Sequence, residues 1–125
     1  MYIIFGCDEI GNALARNLSK AGDETLIIDN SETVFVGLKE PNLRTIITNI
    51  HTLDFSSLPI KDTIAFILLQ KTSQDNLMIA NRIKKLFPDK FVLSRATGGI
   101  EGAPLLEHGV DRTVQIARIV PPAML

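Results

Sequence analysis

The strongest indication of the fold is the segment Tyr2-Ile3-Ile4-Phe5-Gly6-Cys7-Asp8-Glu9-Ile10-Gly11. Its first four residues form an apolar run typical of a buried strand, and the two glycines bracket a turn into a helix. In the GxGxxG pattern the glycines would stand at positions 6, 8 and 11, so Asp8 replaces the middle one. Such a turn exposes amide N–H groups at the positive end of a helix, which favours an anion there.

Apolar, β-branched runs recur along the chain and alternate with helical segments. This alternation predicts βαβ units and an α/β fold, a Rossmann-like doubly wound parallel sheet of six strands with helices on both faces in a three-layer sandwich. The predicted strands are Tyr2–Phe5, residues 24–28, Leu43–Ile47, and residues 63–69, 91–94 and 113–115.

Four helices are predicted between these strands. Ile10, Leu14 and Leu18 recur on one face of the first helix, which ends at Gly22. The capping box Thr72-Ser73-Gln74-Asp75 starts another helix, which ends at Pro88. Shorter helices are predicted at 32–39 and 104–108, and residues 49–62 are interpreted as a loop with at most one helical turn.

Size and charge limit the classes of function. A chain of 125 residues with 13 Lys+Arg and 14 Asp+Glu has room for one domain, 1–125, and a net charge of −1, which gives no general attraction to nucleic acid.

Apolar runs are far shorter than the ~20 residues that span a bilayer, so direct membrane insertion is not expected. The single cysteine indicates a cytoplasmic protein. The abrupt Pro121-Pro122 ending suggests a polypeptide that continues beyond Leu125.

Two acidic residues bear on a nucleotide site. A carboxylate at Asp8 would repel a phosphate about 4 Å away by roughly 4 kcal/mol at an effective dielectric near 20. Asp8 would also suit the helix N-cap, so a capped turn that no longer binds a dinucleotide tightly is an equal alternative. Asp29 ends the second predicted strand, about 20 residues after the turn, where this fold carries the acid that binds ribose.

Several stretches together resemble one family. They are residues 2–7, Leu26-Ile27-Ile28-Asp29, and residues 70–80, 92–96 and 105–111. In order and spacing they are similar to the nucleotide-binding TrkA-N domain, also called RCK or KTN, which regulates potassium transporters and channels. The resemblance covers nearly the whole chain and implies NAD or NADH as the ligand, with ATP, ADP or AMP as alternatives. From the motif, this resemblance and the hypothesis on Lys71 given below, the candidate ligand-binding residues are Gly6, Cys7, Asp8, Glu9, Ile10, Gly11, Asp29, Asn30, Asn49, Lys71, Asn76 and Arg95.

The chain departs from the family pattern at several of these positions. Asn49 stands in a segment where the family usually has Gly-Asp-Ala-Thr. Arg95 and Thr97 stand where some members carry calcium-binding carboxylates, so no metal is expected. Our hypothesis is that Lys71, together with Arg95, offsets Asp8 and faces the phosphates; the alternative is that Lys71 is a solvated loop lysine.

The resemblance implies a regulatory module rather than an enzyme. We expect no catalytic residue within these positions, a homodimer or higher homo-oligomer, and a membrane potassium transporter or channel subunit as a candidate partner. Met78, Ile79 and Ile83 could serve a dimer surface or simply the core. Two alternatives stay open: the N-terminal regulatory domain of a DHH-type phosphoesterase, and the nucleotide half of an NAD-dependent oxidoreductase.

Overall fold

The computed structural model describes residues 1–6, 8–30, 40–96 and 109–115. Within these residues there are six strands, and each overlaps one predicted segment, with ends shifted by at most two residues. They are β1 (Tyr2–Phe5), β2 (Thr25–Asp29), β3 (Leu43–Ile47), β4 (Ala65–Leu68), β5 (Phe91–Ala96) and β6 (Arg112–Gln115). The helices predicted at 32–39 and 104–108 lie outside the described residues.

The strands form one parallel sheet in the order β3-β2-β1-β4-β5-β6. Strand β1 lies in the middle, where Ile4 pairs with Ile27 on one side and with Ile67 on the other. Chain connections run outward from β1 in one direction and from β4 in the other, so the switch point lies between β1 and β4. This confirms the predicted Rossmann-like fold.

Helix α1 (Glu9–Lys20) covers one face of the sheet. Its Ile10, Leu14 and Leu18 pack with Ile4 and Ile27, as the periodicity predicted. Ala15 is completely buried in the same cluster. A small residue at that position lets the helix axis approach the sheet closely.

Helix α2 (Ser73–Leu86) covers the opposite face and begins at the predicted cap, where the Thr72 side chain accepts a hydrogen bond from the Asp75 amide. Ile79 and Ile83 are 0% exposed and belong to the core. The sequence left open whether these residues form a dimer surface or the core, and the structure shows Ile79 and Ile83 in the core. Only Met78 of the three keeps part of its surface accessible.

The segment between β3 and β4 is more ordered than predicted. It contains two 3-10 turns, Phe55–Ser57 and Ile60–Asp62, rather than at most one. The ring of Phe55 stacks on Phe5 with 5.7 Å between centroids, and Leu58 is buried beside them. The segment thus covers the part of this sheet face that α2 does not cover. The sequence did not predict it because its turns are too short to show a helical period.

An ion pair fixes the start of β6. Asp111 Oδ2 accepts hydrogen bonds from Lys84 Nζ and from the Val92 amide, both at 2.8 Å. Partial burial acts to raise the pKa of Asp111, but the hydrogen bonds from Lys84 and Val92 outweigh it and hold the pKa below the ordinary 3.8. The charged carboxylate therefore ties the edge of the sheet to α2 and β5.

We expect Asp111→Asn to destabilise the domain by about 1 kcal/mol at neutral pH, because a charged hydrogen bond is lost at a partly exposed site. A group whose folded pKa is depressed stabilises above its unfolded pKa and loses that contribution as the pH falls through the folded value. The difference between the wild type and Asp111→Asn, measured by urea unfolding, should therefore be constant near pH 7 and shrink below about pH 4. A difference that grows on acidification would contradict this role.

Candidate functional site

The turn after β1 is held between two neighbouring strands. The Gly6 amide donates to the Ile28 carbonyl at 2.8 Å, and the Leu69 amide donates to the Phe5 carbonyl at 2.8 Å. Gly6 has φ of +110°, and a Cβ there would lie 2.9 Å from the Leu69 carbonyl oxygen. Only glycine satisfies both the backbone conformation and the contact with β4.

Gly11 brings α1 directly onto this turn. A Cβ at position 11 would collide with the carbonyl oxygen of Gly6. Packing therefore explains why glycine stands at positions 6 and 11: only glycine lets the helix approach the end of the strand this closely.

Asp8 is the N-cap of α1, as one of the two interpretations of its sequence position predicted. Its Oδ1 accepts hydrogen bonds from the Ile10 amide at 3.1 Å and the Gly11 amide at 3.0 Å. A side-chain carboxylate thus binds the amides that a phosphate would bind in this fold.

Arg95 on β5 reaches the other oxygen of the same carboxylate, with Nη1 at 2.9 Å from Asp8 Oδ2. Both side chains are largely shielded, at 20% and 25% exposure. Lys71 is exposed, and within the described part of the chain no hydrogen bond or ion pair to it is found. The charge that offsets Asp8 therefore comes from Arg95, and the structure gives Lys71 the place of a solvated loop residue.

A second group of polar residues lies where β2, β3 and β4 end. Together with the apolar Ile50 they line a depression of about 140 Å³; the polar residues are Asp29, Asn30, Asn49, His51, Gln70 and Asp75. Asp29 Oδ1 accepts from the Asn30 amide at 2.7 Å, and Asn49 Oδ1 accepts from the His51 amide at 2.9 Å. Three of the predicted residues, Asp29, Asn30 and Asn49, are thus brought together at the carboxyl edge of the sheet.

The sequence analysis missed His51, Gln70 and Asp75 at this depression. His51 Nε2 lies 3.6 Å from Asp75 Oδ1, which joins the loop after β3 to the first turn of α2. Gln70 directly follows the run that contains β4. Their positions in the sequence could have identified these residues, because polar residues just beyond parallel strands meet at one edge of the sheet.

Asn76 has a different role from the predicted ligand contact. It is 0% exposed, and its amide bonds the backbone of Gln70 in both directions, at 3.0 and 3.2 Å. A third bond, at 3.3 Å, reaches the carbonyl oxygen of Arg95. Asn76 therefore connects the end of β4 to β5 by hydrogen bonds, and it fixes the backbone of Gln70 and Arg95 from within the protein.

Three predicted ligand-binding residues remain, namely Cys7, Glu9 and Ile10. Ile10 contributes its amide to the cap, while its side chain packs toward the sheet. Glu9 is exposed at the first turn of α1. Cys7 and Thr97 lie outside the described residues. Among the described residues no cluster of three or more acidic, histidine or cysteine side chains could hold a metal ion.

A glycine turn at the switch point of a 3-2-1-4-5-6 parallel sheet, with an acid at the end of β2, defines a Rossmann-like α/β domain. The TrkA-N domain model matches residues 2–116, and the chain belongs to the TrkA-N family. No curated protein matches it. None of the helices in residues 1–6, 8–30, 40–96 and 109–115 has the length and apolar character to cross a membrane.

Solved structures share this fold. The NAD(P)-binding domain of an exopolyphosphatase-related protein from Archaeoglobus fulgidus is 22% identical, with a TM-score of 0.80 over 92% of this chain and 86% of that one. The TrkA-N domain of the inner membrane protein ybaL from Escherichia coli is 20% identical, with a TM-score of 0.77 over 91% and 85%. The Kef CTD of Shewanella denitrificans in its AMP-bound form is 20% identical, with a TM-score of 0.77 over 92% and 70%. Structures of GsuK bound to ADP and of the GsuK channel bound to NAD also match, and this chain spans 30% and 20% of them.

Gly11→Ala tests the contact between α1 and the turn. Helix propensity alone would make this change stabilising by about 1 kcal/mol, whereas the collision with the Gly6 carbonyl should destabilise the fold by about 2 kcal/mol or more. Asn17→Ala, on the exposed face of the same helix, is the control and should be neutral or stabilising, by about 0.7 kcal/mol or less, because only helix propensity changes there. Urea unfolding decides the sign, and a stabilised Gly11→Ala would refute the contact.

Proposed function

We propose that this domain is a regulatory module that binds NAD(H) or an adenine nucleotide at the carboxyl edge of its sheet. The observation that carries the proposal is the polar depression at the ends of β2, β3 and β4, which adjoins the glycine turn at the switch point. In doubly wound sheets, ligands bind in the crevice at this position.

The proposed ligand has its ribose at Asp29. A carboxylate at the end of β2 can accept hydrogen bonds from the hydroxyl groups of the ribose. Asn30, Asn49 and Gln70 offer amide donors and acceptors around the same depression, which suits the edge of a base. The phosphates would then extend toward the turn at Gly6 and toward Arg95.

The ligand class is an adenosine-containing nucleotide. Structural neighbours carry AMP, ADP or NAD, which supports the class without selecting a member. NAD or NADH is our first candidate, since the motif around Gly6 and Asp29 is of the dinucleotide type. ATP, ADP and AMP are the alternatives.

The regulated process that we propose is potassium transport. The family membership and the Kef and GsuK neighbours support a domain that works with a membrane transport subunit. We further propose that it is cytoplasmic and forms a homodimer or larger homo-oligomer. For a ligand to regulate such an assembly, it must bind one of two domain arrangements more tightly than the other.

A second candidate assembly is a phosphoesterase with this module at its N-terminus. The resemblance to the domain of an exopolyphosphatase-related protein favours it. The two assemblies differ in what the nucleotide changes: potassium flux through vesicles in one, and hydrolysis of a phosphoester in the other. An oxidoreductase differs from both because the bound NAD(H) would change its redox state, which absorbance at 340 nm reports.

Asp29→Asn tests the proposed ribose contact. The amide has the same shape but accepts fewer hydrogen bonds, so we expect affinity for every adenosine-containing ligand to fall about tenfold, which is about 1.4 kcal/mol. Isothermal calorimetry with NADH, NAD, ATP, ADP and AMP measures this and ranks the ligands.

The matched control is Asp89→Asn, which removes the same charge from an exposed position after α2, at the amino edge of the sheet. Its affinities should equal those of the wild type. If none of the five ligands binds the wild-type domain, the proposed function is wrong. Equal losses in the two variants would show that Asp29 does not contact the ligand.

A further inference from the structure

The Asp8 carboxylate is fully engaged by the protein itself. One oxygen takes the amides of Ile10 and Gly11, and the other takes the guanidinium of Arg95. Amide groups of a helix N-terminus and an arginine fork are the donors that a phosphate requires. In this chain the same donors converge on a side chain 87 residues away from the arginine in sequence.

The ion pair lies beside the turn, on the side of β1 that faces away from the proposed ribose position at β2. Asp8 follows β1 and Arg95 lies on β5, so their contact passes over the end of β4, next to the switch point. The other half of the site is more accessible: Asn30 and Asn49 are exposed there, and Asp29 is half-buried. The two halves therefore differ: one is occupied by an internal anion and the other is open to solvent.

We propose that Asp8 is the specificity-determining residue of the site and acts as an internal competitor for phosphate. To bind, a ligand phosphate must replace Asp8 as the hydrogen-bond acceptor of Arg95 and the α1 amides, whereas the adenosine part binds without that exchange. This inference rests on the proposed nucleotide function and adds to it a selection on the phosphate group. The wild-type site accordingly discriminates weakly between adenosine and its phosphorylated forms.

Arg95 is then the phosphate-binding side chain that Asp8 holds in place. While Asp8 is charged, Arg95 is neutralised and adds little attraction for a second anion. Removing the charge of Asp8 frees the guanidinium without moving its anchor, because the Arg95 carbonyl oxygen stays bonded to the Asn76 amide. Removing Arg95 should have the opposite effect on phosphate.

Asp8→Asn is the variant of choice because asparagine caps helices about as well as aspartate. We expect the affinity for AMP, ADP and NAD to rise at least tenfold in Asp8→Asn, while the affinity for adenosine itself stays within about twofold. In the double variant Asp8→Asn/Arg95→Gln the gain should disappear. Asp89→Asn, with the same change of net charge, should behave as the wild type.

Calorimetry with adenosine, AMP, ADP and NAD on these four proteins tests the inference, and thermal unfolding confirms that each is folded. A gain confined to the phosphorylated ligands and dependent on Arg95 supports it. An unchanged ratio of AMP to adenosine affinity in Asp8→Asn overturns it while the nucleotide function stands. An equal gain for adenosine also overturns it. If none of the proteins binds any of the four ligands, both the inference and the proposed function are wrong.

Discussion

The close approach of α1 to the carboxyl end of β1 determines where the site residues can lie. Gly11 has no side chain between it and the Gly6 carbonyl, and Gly6 itself is pressed against Leu69 at the end of β4. Since the Gly6 amide is also bonded to Ile28, one turn joins three central strands. Asp8, two residues past Gly6, is consequently fixed over the switch point, within reach of β5.

The two helices contribute to the site in different ways. Helix α1 supplies the amides and is held to its face by Ile10, Leu14 and Leu18. Helix α2 supplies the clamp, because its buried Asn76 binds the end of β4 and the carbonyl of Arg95 at once. An apolar residue at position 76 would leave those buried backbone groups without partners, which is costly. The position of the arginine thus depends on a residue that does not contact the carboxylate.

The sequence predicted those features that short-range patterns encode. Strand runs, the α1 stripe, the Thr72 cap and the sheet class all follow from residues close together in the chain. The pairing of Asp8 with Arg95 depends on a contact between positions 87 residues apart, and local patterns could not show that Arg95 pairs with Asp8 while Lys71 does not. The order in residues 50–60 was underestimated for a related reason: Phe55 and Leu58 are buried by the sheet, not by a helix of their own.

A site whose donors are already satisfied by the chain behaves differently from one that depends on its ligand. Buried amides and an arginine without partners would cost free energy, and a ligand that satisfied them would bind as a permanent part of the fold. Here Asp8 meets that requirement, so under the proposed function ligand binding would exchange one satisfied arrangement for another, with a small net free energy. Small differences are what a reversible regulator needs, because the ligand must leave when its concentration falls. The carboxylate that weakens a dinucleotide site by sequence criteria is therefore consistent with a sensor.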